Sequence, residues 1–565
     1  MIDLKGNPFY LSDQDIEWVN QTRDAMTVEE KIGQLFVANV REGTLEELEG
    51  ITDIIPIGGV MYRPLPTETC CKLTNYLKQS KVPMLIAADL EKGGNIIQPN
   101  GTKFASQMEI AATGKTEYAE KLATICGREG GSVGINWTFA PDADIDFNYR
   151  NPITNVRTYG SNPDVVAEMA STYVTTVQKM GMAASVKHFP GDGVDERDHH
   201  LVTTVNTLSK EDWDASYGKV YKKCIEDGTL TVMVGHIMQP AIEKYYNPGL
   251  EDKDVMPATL SKELMQNCLR EQLGFNGLIV TDATTMSGFT IPMPRWKSVP
   301  TSIACGADVF LFSRNMKEDV EFMKQGLENG ILTEERLDEA VTRILALKAA
   351  LHLNSETDRK VYDAEEAEKQ IGTKEHHDWA KACAKEAITL VKEEEGVLPI
   401  TPEKYPRVMY YPLTNPASAP GVGEIDPCKM FEELLEKEGF EVTQFNPSKG
   451  SEGRVAPMSD FVGKYDIMIY LANFATKSNQ TTLRVEWAPP LGANCPHFLT
   501  CIPTVFISVE NPYHLQDVPR IRTFINTFCS NKEMIEELME KLTGREEFTG
   551  VSPSDPFCDR WDTHL

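Results

Sequence analysis

The chain has 565 residues, of which 41% are hydrophobic and 25% charged, a composition typical of a globular protein too long for a single core. Its formal net charge of −28 argues against a nucleic-acid or anionic-membrane partner, because no basic stripe offsets it. No stretch approaches the ~20 apolar residues of a membrane span, and the N-terminus lacks a signal-peptide pattern. The twelve cysteines show no CxxC or zinc spacing, so we expect reduced thiols, a cytoplasmic protein and no metal.

Short apolar runs, each followed by a polar loop and a helical stretch, recur through the first half of the chain. They span residues 34–38, 58–62, 84–89, 136–141, 183–188, 230–236, 277–282 and 308–313. Such runs between helical stretches are typical of parallel strands buried on both faces. Eight of them favour a TIM-like (β/α)8 barrel, which we place at 1–353, over a doubly wound sheet.

A charged segment with almost no large apolar residues follows and predicts a linker at 354–378. Residues 379–565 alternate helical and strand patterns, which favours a smaller α/β/α sandwich. The expected helix covers 379–391, and the expected strands cover 408–411, 442–445, 467–471 and 504–509. No glycine-rich phosphate-binding motif follows any strand, so we expect no cofactor.

Polar residues stand where the barrel runs finish. They are Arg63, Asp89, Asp142 with Asp144, Lys187 with His188, His236, and Asp282. Capping or solvation explains each one alone, but it explains the repetition poorly. In a barrel the carboxyl ends of the strands share one face, so these residues predict a single site.

Three residues are candidates for the chemistry itself: Asp282 from this set, and Asp198 and His200 from the loop after the fifth run. Asp282 is a candidate nucleophile or general base, with a helix N-cap as the alternative. Asp198 and His200, after the fifth run, form a candidate acid/base pair, because a carboxylate on one ring nitrogen frees the other for proton transfer. The D-x-H spacing is common, so a mobile polar loop is the alternative.

Charged donors and acceptors surround these candidates. Lys187, His188, Asp89 and Arg157 offer the mixture that suits a polyhydroxylated ligand. A phosphorylated ligand fits less well, since no glycine-rich helix start is available.

Two motifs in combination resemble glycoside hydrolase family 3. They are Lys187-His188-Phe189-Pro190-Gly191 with Asp198-x-His200, and residues 274–282. Within that family the chain is similar to the two-domain β-N-acetylhexosaminidase branch. Further matches lie at 139–141, 151–157, 232–236, 257–261 and 384–392, so the resemblance covers nearly the whole chain.

The resemblance implies a retaining exo-β-glycosidase that releases N-acetylglucosamine, or a related β-hexosamine, from a β-linked saccharide or muropeptide-like glycan. Asp282 would form the glycosyl-enzyme intermediate, and His200, oriented by Asp198, would be the acid/base. The general retaining scheme instead has a carboxylic acid about 5–5.5 Å from the nucleophile. The residues implied to hold the sugar are Asp89, Arg157, Lys187 and His188, with His236 close to it.

The chain departs from the family pattern at three places. The motif at 89–94 has one inserted residue and no following arginine, which bears on how the outer hydroxyls are held. Asp192 replaces the usual histidine after Pro-Gly. His199 replaces the serine of the usual Asp-Ser-His, which leaves His199 as an alternative to His200 as the productive imidazole.

Other functions stay open. One is a β-glucosidase of the same family with a carboxylate acid/base from the second half, for which Glu395 and Glu486 are available. Another is phosphorolysis, because a neutral imidazole repels an anionic acceptor less than a carboxylate does. From another class, a catalytically inactive sugar-binding protein is possible, although the presence of Asp282 argues against it. The sequence leaves the aglycone, the acceptor, the oligomeric state and any part of the second domain in the site open.

Overall fold

The structure is a computed structural model that describes residues 2–355, 361–421, 423–446 and 457–565. It contains two compact units, and the first consists of residues up to 102, 119–148 and 163–373. The second consists of 103–118, 149–162 and 374–565. The expected boundaries were 1–353, 354–378 and 379–565, and residues 356–360 of that linker lie outside the described residues. The second unit gains its two early segments by side-chain packing that local patterns do not show: Met108 and Val156 cluster with Ala387 and Phe528.

The first unit is built on a parallel sheet with the order β1, β2, β3, β4, β5, β7 and β9. These strands are Val37–Val40, Gly59–Tyr62, Leu85–Ala88, Trp137–Thr138, Ala183–Phe189, Thr231–Val234 and Leu278–Thr281. Bridges from Phe310 to Phe36 and from Val309 to Val280 join the last run to both edges and close the barrel. The predicted barrel is confirmed, with its eighth run reduced to these two bridging residues.

The helices of the first unit follow the strands and carry their own start signals. Ser12 and Thr27, for example, cap the first two helices in reciprocal pairs with Asp15 and Glu30. The helices are α1 Asp13–Asp24, α2 Val28–Gln34, α3 Leu45–Thr52, α4 Thr67–Leu77, α6 Glu117–Ser132 (which begins in the second unit), α7 Pro163–Lys179, α8 Lys210–Trp213, α9 Lys219–Glu226, α10 Pro240–Tyr246, α11 Ser287–Thr290, α12 Arg295–Cys305, α13 Met316–Glu328, α14 Glu334–Ala350 and α15 Ala364–Glu368. A two-stranded parallel pair, β6 Thr204–Val205 and β8 Ile237–Met238, joins the loops after β5 and β7.

The second unit is a six-stranded sheet with the order β10, β15, β14, β13, β11, β12, in which only the β10–β15 pair is antiparallel. The strands are β10 Thr389–Lys392, β11 Arg407–Thr414, β12 Glu441–Gln444, β13 Ile467–Asn473, β14 Thr504–Val509 and β15 Thr523–Thr527. The helices are α5 Gln107–Ala112, α16 Lys374–Ala387, α17 Pro427–Glu438 and α18 Lys532–Leu542. The expected helix over 379–391 ends at Ala387, because its last residues form β10, and β15 was not predicted.

Each face of this second sheet carries its own apolar cluster. One face packs against α16, α17 and α18 through residues such as Ala384, Phe431 and Leu538. The other is covered by residues of turns and irregular segments, such as Phe461 and Leu515. The predicted α/β second domain is confirmed. Across the described ranges of the chain, no helix combines the length and apolar character needed to cross a bilayer.

Candidate active site

Asp282 lies directly after β9, at the carboxyl end of the barrel. Its backbone N–H donates to the Val234 carbonyl at 2.9 Å, and its Oδ1 accepts from the Ala283 N–H at 2.6 Å. Burial favours the protonated carboxyl, but the neighbouring imidazoles, led by His199 and His188, outweigh it and hold the pKa of Asp282 below its usual range. The side chain, 14% exposed, is therefore an ionised carboxylate open to a ligand.

Asp198 and His200 form the expected pair. His200 Nδ1 lies 2.7 Å from Asp198 Oδ1, and the same oxygen accepts the His200 backbone N–H at 2.8 Å. Because an ionised carboxylate only accepts, Nδ1 carries the hydrogen and Nε2 is left for proton transfer. Asp198 is fully buried, whereas the His200 side chain is 24% exposed. The Ser287 N–H donates to the His200 carbonyl and ties this loop to the one after β9.

His188 is a buried cation. Its Nδ1 lies 2.7 Å from Asp144 Oδ2, and its backbone N–H donates to Asp144 Oδ1 at 3.1 Å. Burial by itself lowers the pKa of His188, but the Asp144 carboxylate raises it to about 9. The ring therefore offers a charged Nε2–H donor at neutral pH.

Lys187 lies among three carboxylates. Its Nζ is 2.5 Å from Glu91 Oε1 and 3.6 Å from both Asp89 Oδ1 and Asp142 Oδ1. Arg63 Nη1 reaches Asp89 Oδ2 at 3.5 Å. Alternating donors and acceptors of this kind suit adjacent sugar hydroxyls. Glu91 was not among the predicted site residues, although it belongs to the motif at 89–94 that departs from the family pattern.

Both ring nitrogens of His236 are hydrogen-bonded within the protein. Its Nε2 lies 3.0 Å from the Ala283 carbonyl, which only accepts, so Nε2 carries the hydrogen. Its Nδ1 then accepts from the Thr259 hydroxyl at 3.0 Å. Burial lowers the pKa of His236, so the ring is neutral. Both nitrogens are engaged in supporting the strand end at Asp282, and the predicted closeness of His236 to the sugar stays a prediction.

Arg157 is the one predicted site residue that belongs to the second unit. The structure places it in the second unit, where its guanidinium donates to the Ile153 carbonyl at 3.0 Å. Its predicted contact with the sugar stays a prediction. The other predicted residues all lie in the first unit: Asp89, Lys187, His188, Asp198, His200, His236 and Asp282.

The loop that leads from the Lys187-His188 pair to Asp198 is held by hydrogen bonds along its length. Trp213 Nε1 donates to the Pro190 carbonyl at 2.7 Å. Asp195 accepts the Val205 N–H at 2.9 Å and pairs with Arg197. The segment 192–197 thus braces the loop against β6, a role the sequence did not reveal.

Three groups of potential metal ligands occur among the described residues: His188 with His199 and Asp282; Asp198 with His199 and His200; and Asp142 with Asp144 and His188. Two of them contain an imidazole–carboxylate pair that is already hydrogen-bonded, His200 with Asp198 and His188 with Asp144. The expectation of a metal-free site stays a prediction.

Residues 27–347 match the Glycosyl hydrolase family 3 N terminal domain. The chain belongs to glycoside hydrolase family 3. Over 567 aligned residues, and all of both chains, it is 48% identical to a β-N-acetylglucosaminidase/β-glucosidase of Cellulomonas fimi. The predicted family is confirmed.

Solved structures agree with this assignment. The β-glucoside phosphorylase BglX is 44% identical, with a TM-score of 0.92 over 99% of each chain. A family 3 β-N-acetylglucosaminidase of Paenibacillus sp. str. FPU-7 is 25% identical, with a TM-score of 0.78 over 95% of this chain and 100% of that one. The protein is thus a glycoside hydrolase of family 3 that acts on β-linked sugars.

Proposed function

We propose that this chain is a retaining exo-β-glycosidase that releases N-acetylglucosamine from non-reducing ends and also accepts β-glucosides. One observation carries the proposal: an ionised Asp282 and a carboxylate-oriented His200 belong to loops that are hydrogen-bonded to each other at one end of the barrel. The name of the Cellulomonas fimi relative supports the pair of substrates.

The proposed reaction has two steps. Asp282 attacks the anomeric carbon while the bond to the leaving oxygen breaks, and His200 gives that oxygen its Nε2 proton. Asp198 stabilises the imidazolium from which this proton comes. In the second step His200 takes a proton from the acceptor, whose oxygen displaces Asp282 from the sugar.

The sugar itself would be held by the charged groups around Asp282. The His188 imidazolium and the Lys187 ammonium donate, and the Asp89 carboxylate accepts. Because Glu91 lies against Lys187, it fixes where that ammonium is presented. Arg157 also belongs to the set of residues predicted to hold the sugar.

Phosphate is a second candidate acceptor, in place of water. The chain is 44% identical to a protein titled a β-glucoside phosphorylase. A neutral imidazole does not repel a phosphate dianion, whereas a carboxylate base in the same place would. The His188 imidazolium adds positive charge nearby. The product would be the sugar 1-phosphate.

The proposal is tested with p-nitrophenyl β-N-acetylglucosaminide and β-glucoside, each with and without inorganic phosphate, the products being read by phosphorus NMR. We expect turnover of both glycosides, and a rate increase with sugar 1-phosphate formation if phosphate is the acceptor. Turnover of the glucoside alone would contradict the leading function, and free sugar at every phosphate concentration would contradict phosphorolysis.

We also propose a cytoplasmic location. All twelve cysteines are free thiols, nine of them buried. Reduced cysteines are typical of a reducing compartment. Detection of the protein in fractionated cells tests this location directly.

A further inference from the structure

The two residues at which the loop after β5 departs from the family pattern lie against each other. His199 Nδ1 is 3.4 Å from Asp192 Oδ2, and His199 Nε2 is 3.5 Å from Asp282 Oδ2. The ring is fully buried, and neither nitrogen makes a hydrogen bond of ordinary geometry within the described parts of the chain. The imidazole therefore spans the space between Asp192 and the nucleophile.

We propose that His199 is a positioning residue for the nucleophile, with its Nε2–H donating to Asp282 Oδ2 and Asp192 supporting Nδ1. The inference rests on the proposed function, in which Asp282 attacks the sugar. It assigns a task to a residue that does not itself contact the substrate.

The charge of Asp282 decides where the hydrogen lies on His199. An ionised carboxylate has only acceptor oxygens, so a bare Nε2 would set two lone pairs against each other. A hydrogen on Nε2 replaces that repulsion with attraction. Two states meet this condition. In a neutral ring Nδ1 accepts from a protonated Asp192, and in an imidazolium Nδ1 donates to an ionised Asp192. Nε2 carries a hydrogen in both states. Burial lowers the pKa of His199, which favours the neutral ring.

The other three imidazoles of the site are committed elsewhere. His188 pairs with Asp144, His200 with Asp198, and His236 with Thr259 and the Ala283 carbonyl. The titratable groups around His199 are Asp192, Asp198, Asp282, His188, His200 and His236.

With His199 as donor, both oxygens of Asp282 are held. Oδ1 accepts from the Ala283 N–H at 2.6 Å, and Oδ2 faces His199 Nε2. Gly288 lies so near the backbone of His199 that a Cβ placed on it would be 2.5 Å from the His199 carbonyl oxygen. This close approach fixes the position of His199. The loop after β9 thus packs closely on the backbone of His199, and the plane of the carboxylate is set from two sides.

Two amide variants separate this role from simple filling of space. In His199→Gln the amide nitrogen takes the place of Nε2, beside Asp282, whereas in His199→Asn it takes the place of Nδ1, beside Asp192. We expect His199→Gln to stay within about threefold of native kcat/KM on the aryl N-acetylglucosaminide. His199→Asn and His199→Phe should lose roughly 10- to 100-fold, as for a lost hydrogen bond to a charged group.

The pH profile gives a second readout. Without a donor at the position of His199 Nε2, the Asp282 carboxylate binds a proton more tightly. The acid limb of the kcat/KM profile should therefore move to higher pH in the Asn and Phe variants and stay in place in the Gln variant. A merely structural role would lower the melting temperature of all three variants without separating Gln from Asn. Equal kcat/KM and equal acid limbs for these two would overturn the inference.

Nitrogen NMR of the histidines in the native protein covers the case in which the variants do not fold. A hydrogen on Nε2 of His199 is expected, and a ring protonated at Nδ1 alone would overturn the inference. The proposed function has its own test in Asp282→Asn. If that variant is active, the proposed function fails; if it is inactive while Gln and Asn are equal, only the role of His199 fails.

Discussion

The two ends of the barrel hold buried charges in opposite ways. Near the amino end, Asp308 pairs with Arg270 at 2.7 Å, with Arg336 at 2.6 Å and with Arg343 at 3.5 Å. The guanidinium groups also donate to backbone carbonyls, among them that of Phe275 from Arg270 and that of Ala307 from Arg336. Asp308 in turn accepts the Ile279 N–H at the start of β9. This cluster ties strands to helices and presents nothing to a ligand.

At the carboxyl end of the barrel, some of the charged or titratable side chains are partly exposed. Asp282 and His200 are held by their neighbours, yet both side chains remain partly exposed and within reach of a ligand. We infer that a charge buried among its own ion-pair partners serves the fold, and that a partly exposed one is available to a ligand.

The sharpest test of this contrast is Asp282→Asn. The change keeps the shape of the side chain and removes the nucleophilic charge, so we expect kcat to fall on the order of 10⁴-fold. The melting temperature should fall only slightly, because the amide oxygen still accepts from the Ala283 N–H although the contact with His199 is lost. A variant that retains native turnover would move the nucleophile elsewhere.

Asp308→Asn is the matched change at the other end of the barrel. It removes the carboxylate that the three guanidinium groups share and leaves Glu339 beside Arg336 and Arg343, so the free energy of unfolding should fall by about 3–5 kcal/mol. Urea unfolding measures this loss. Activity per folded molecule should be unchanged, and a stable protein with reduced kcat would contradict the division between the two ends.

Asp198→Asn sharpens the comparison within the site. The imidazolium of His200 loses its anionic partner, so kcat/KM on a natural disaccharide should fall about 10²- to 10³-fold. An aryl glycoside with a good leaving group needs little protonation and should lose much less. Equal losses on both substrates would argue against the acid role of His200.

The smallest effect concerns His188 and stability. Its pKa is raised to about 9 in the fold, against ~6.5 in the unfolded chain, so its pairing with Asp144 is fully stabilising below about pH 6.5. That contribution, a few kcal/mol at most, is lost as the pH rises through about 9. Urea unfolding from pH 6 to pH 10 should show the decline, and His188→Asn should flatten it. Parallel curves for the two proteins would contradict the assignment.

Sequence patterns located much of this fold because its signals are local. The eight apolar runs marked the barrel strands, and the polar residues after them marked the site, since parallel strands bring their carboxyl ends to one face. The assignment of Asp282 and of the Asp198–His200 pair needed the family resemblance as well, because a lone carboxylate and a D-x-H spacing are common.

The features that the sequence did not reveal depend on contacts between distant segments. Thr389–Lys392 continues the pattern of a helix but pairs with β15, a tertiary preference that overrides local propensity. The segments 103–118 and 149–162 join the second unit through packing. The contacts of the two His236 ring nitrogens, with Thr259 and with the Ala283 carbonyl, also join distant segments. Nothing in the local pattern distinguishes a supporting histidine from a binding one.

A covalent intermediate on Asp282 can be detected by mass spectrometry of the trapped enzyme. A 5-fluoro β-N-acetylglucosaminyl fluoride should react quickly and turn over slowly, because the fluorine destabilises the charge that develops at the anomeric carbon. Digestion should then place the added sugar on the peptide that contains Asp282. Labelling of a different carboxylate, or release of an inverted product with no labelled peptide, would contradict the account.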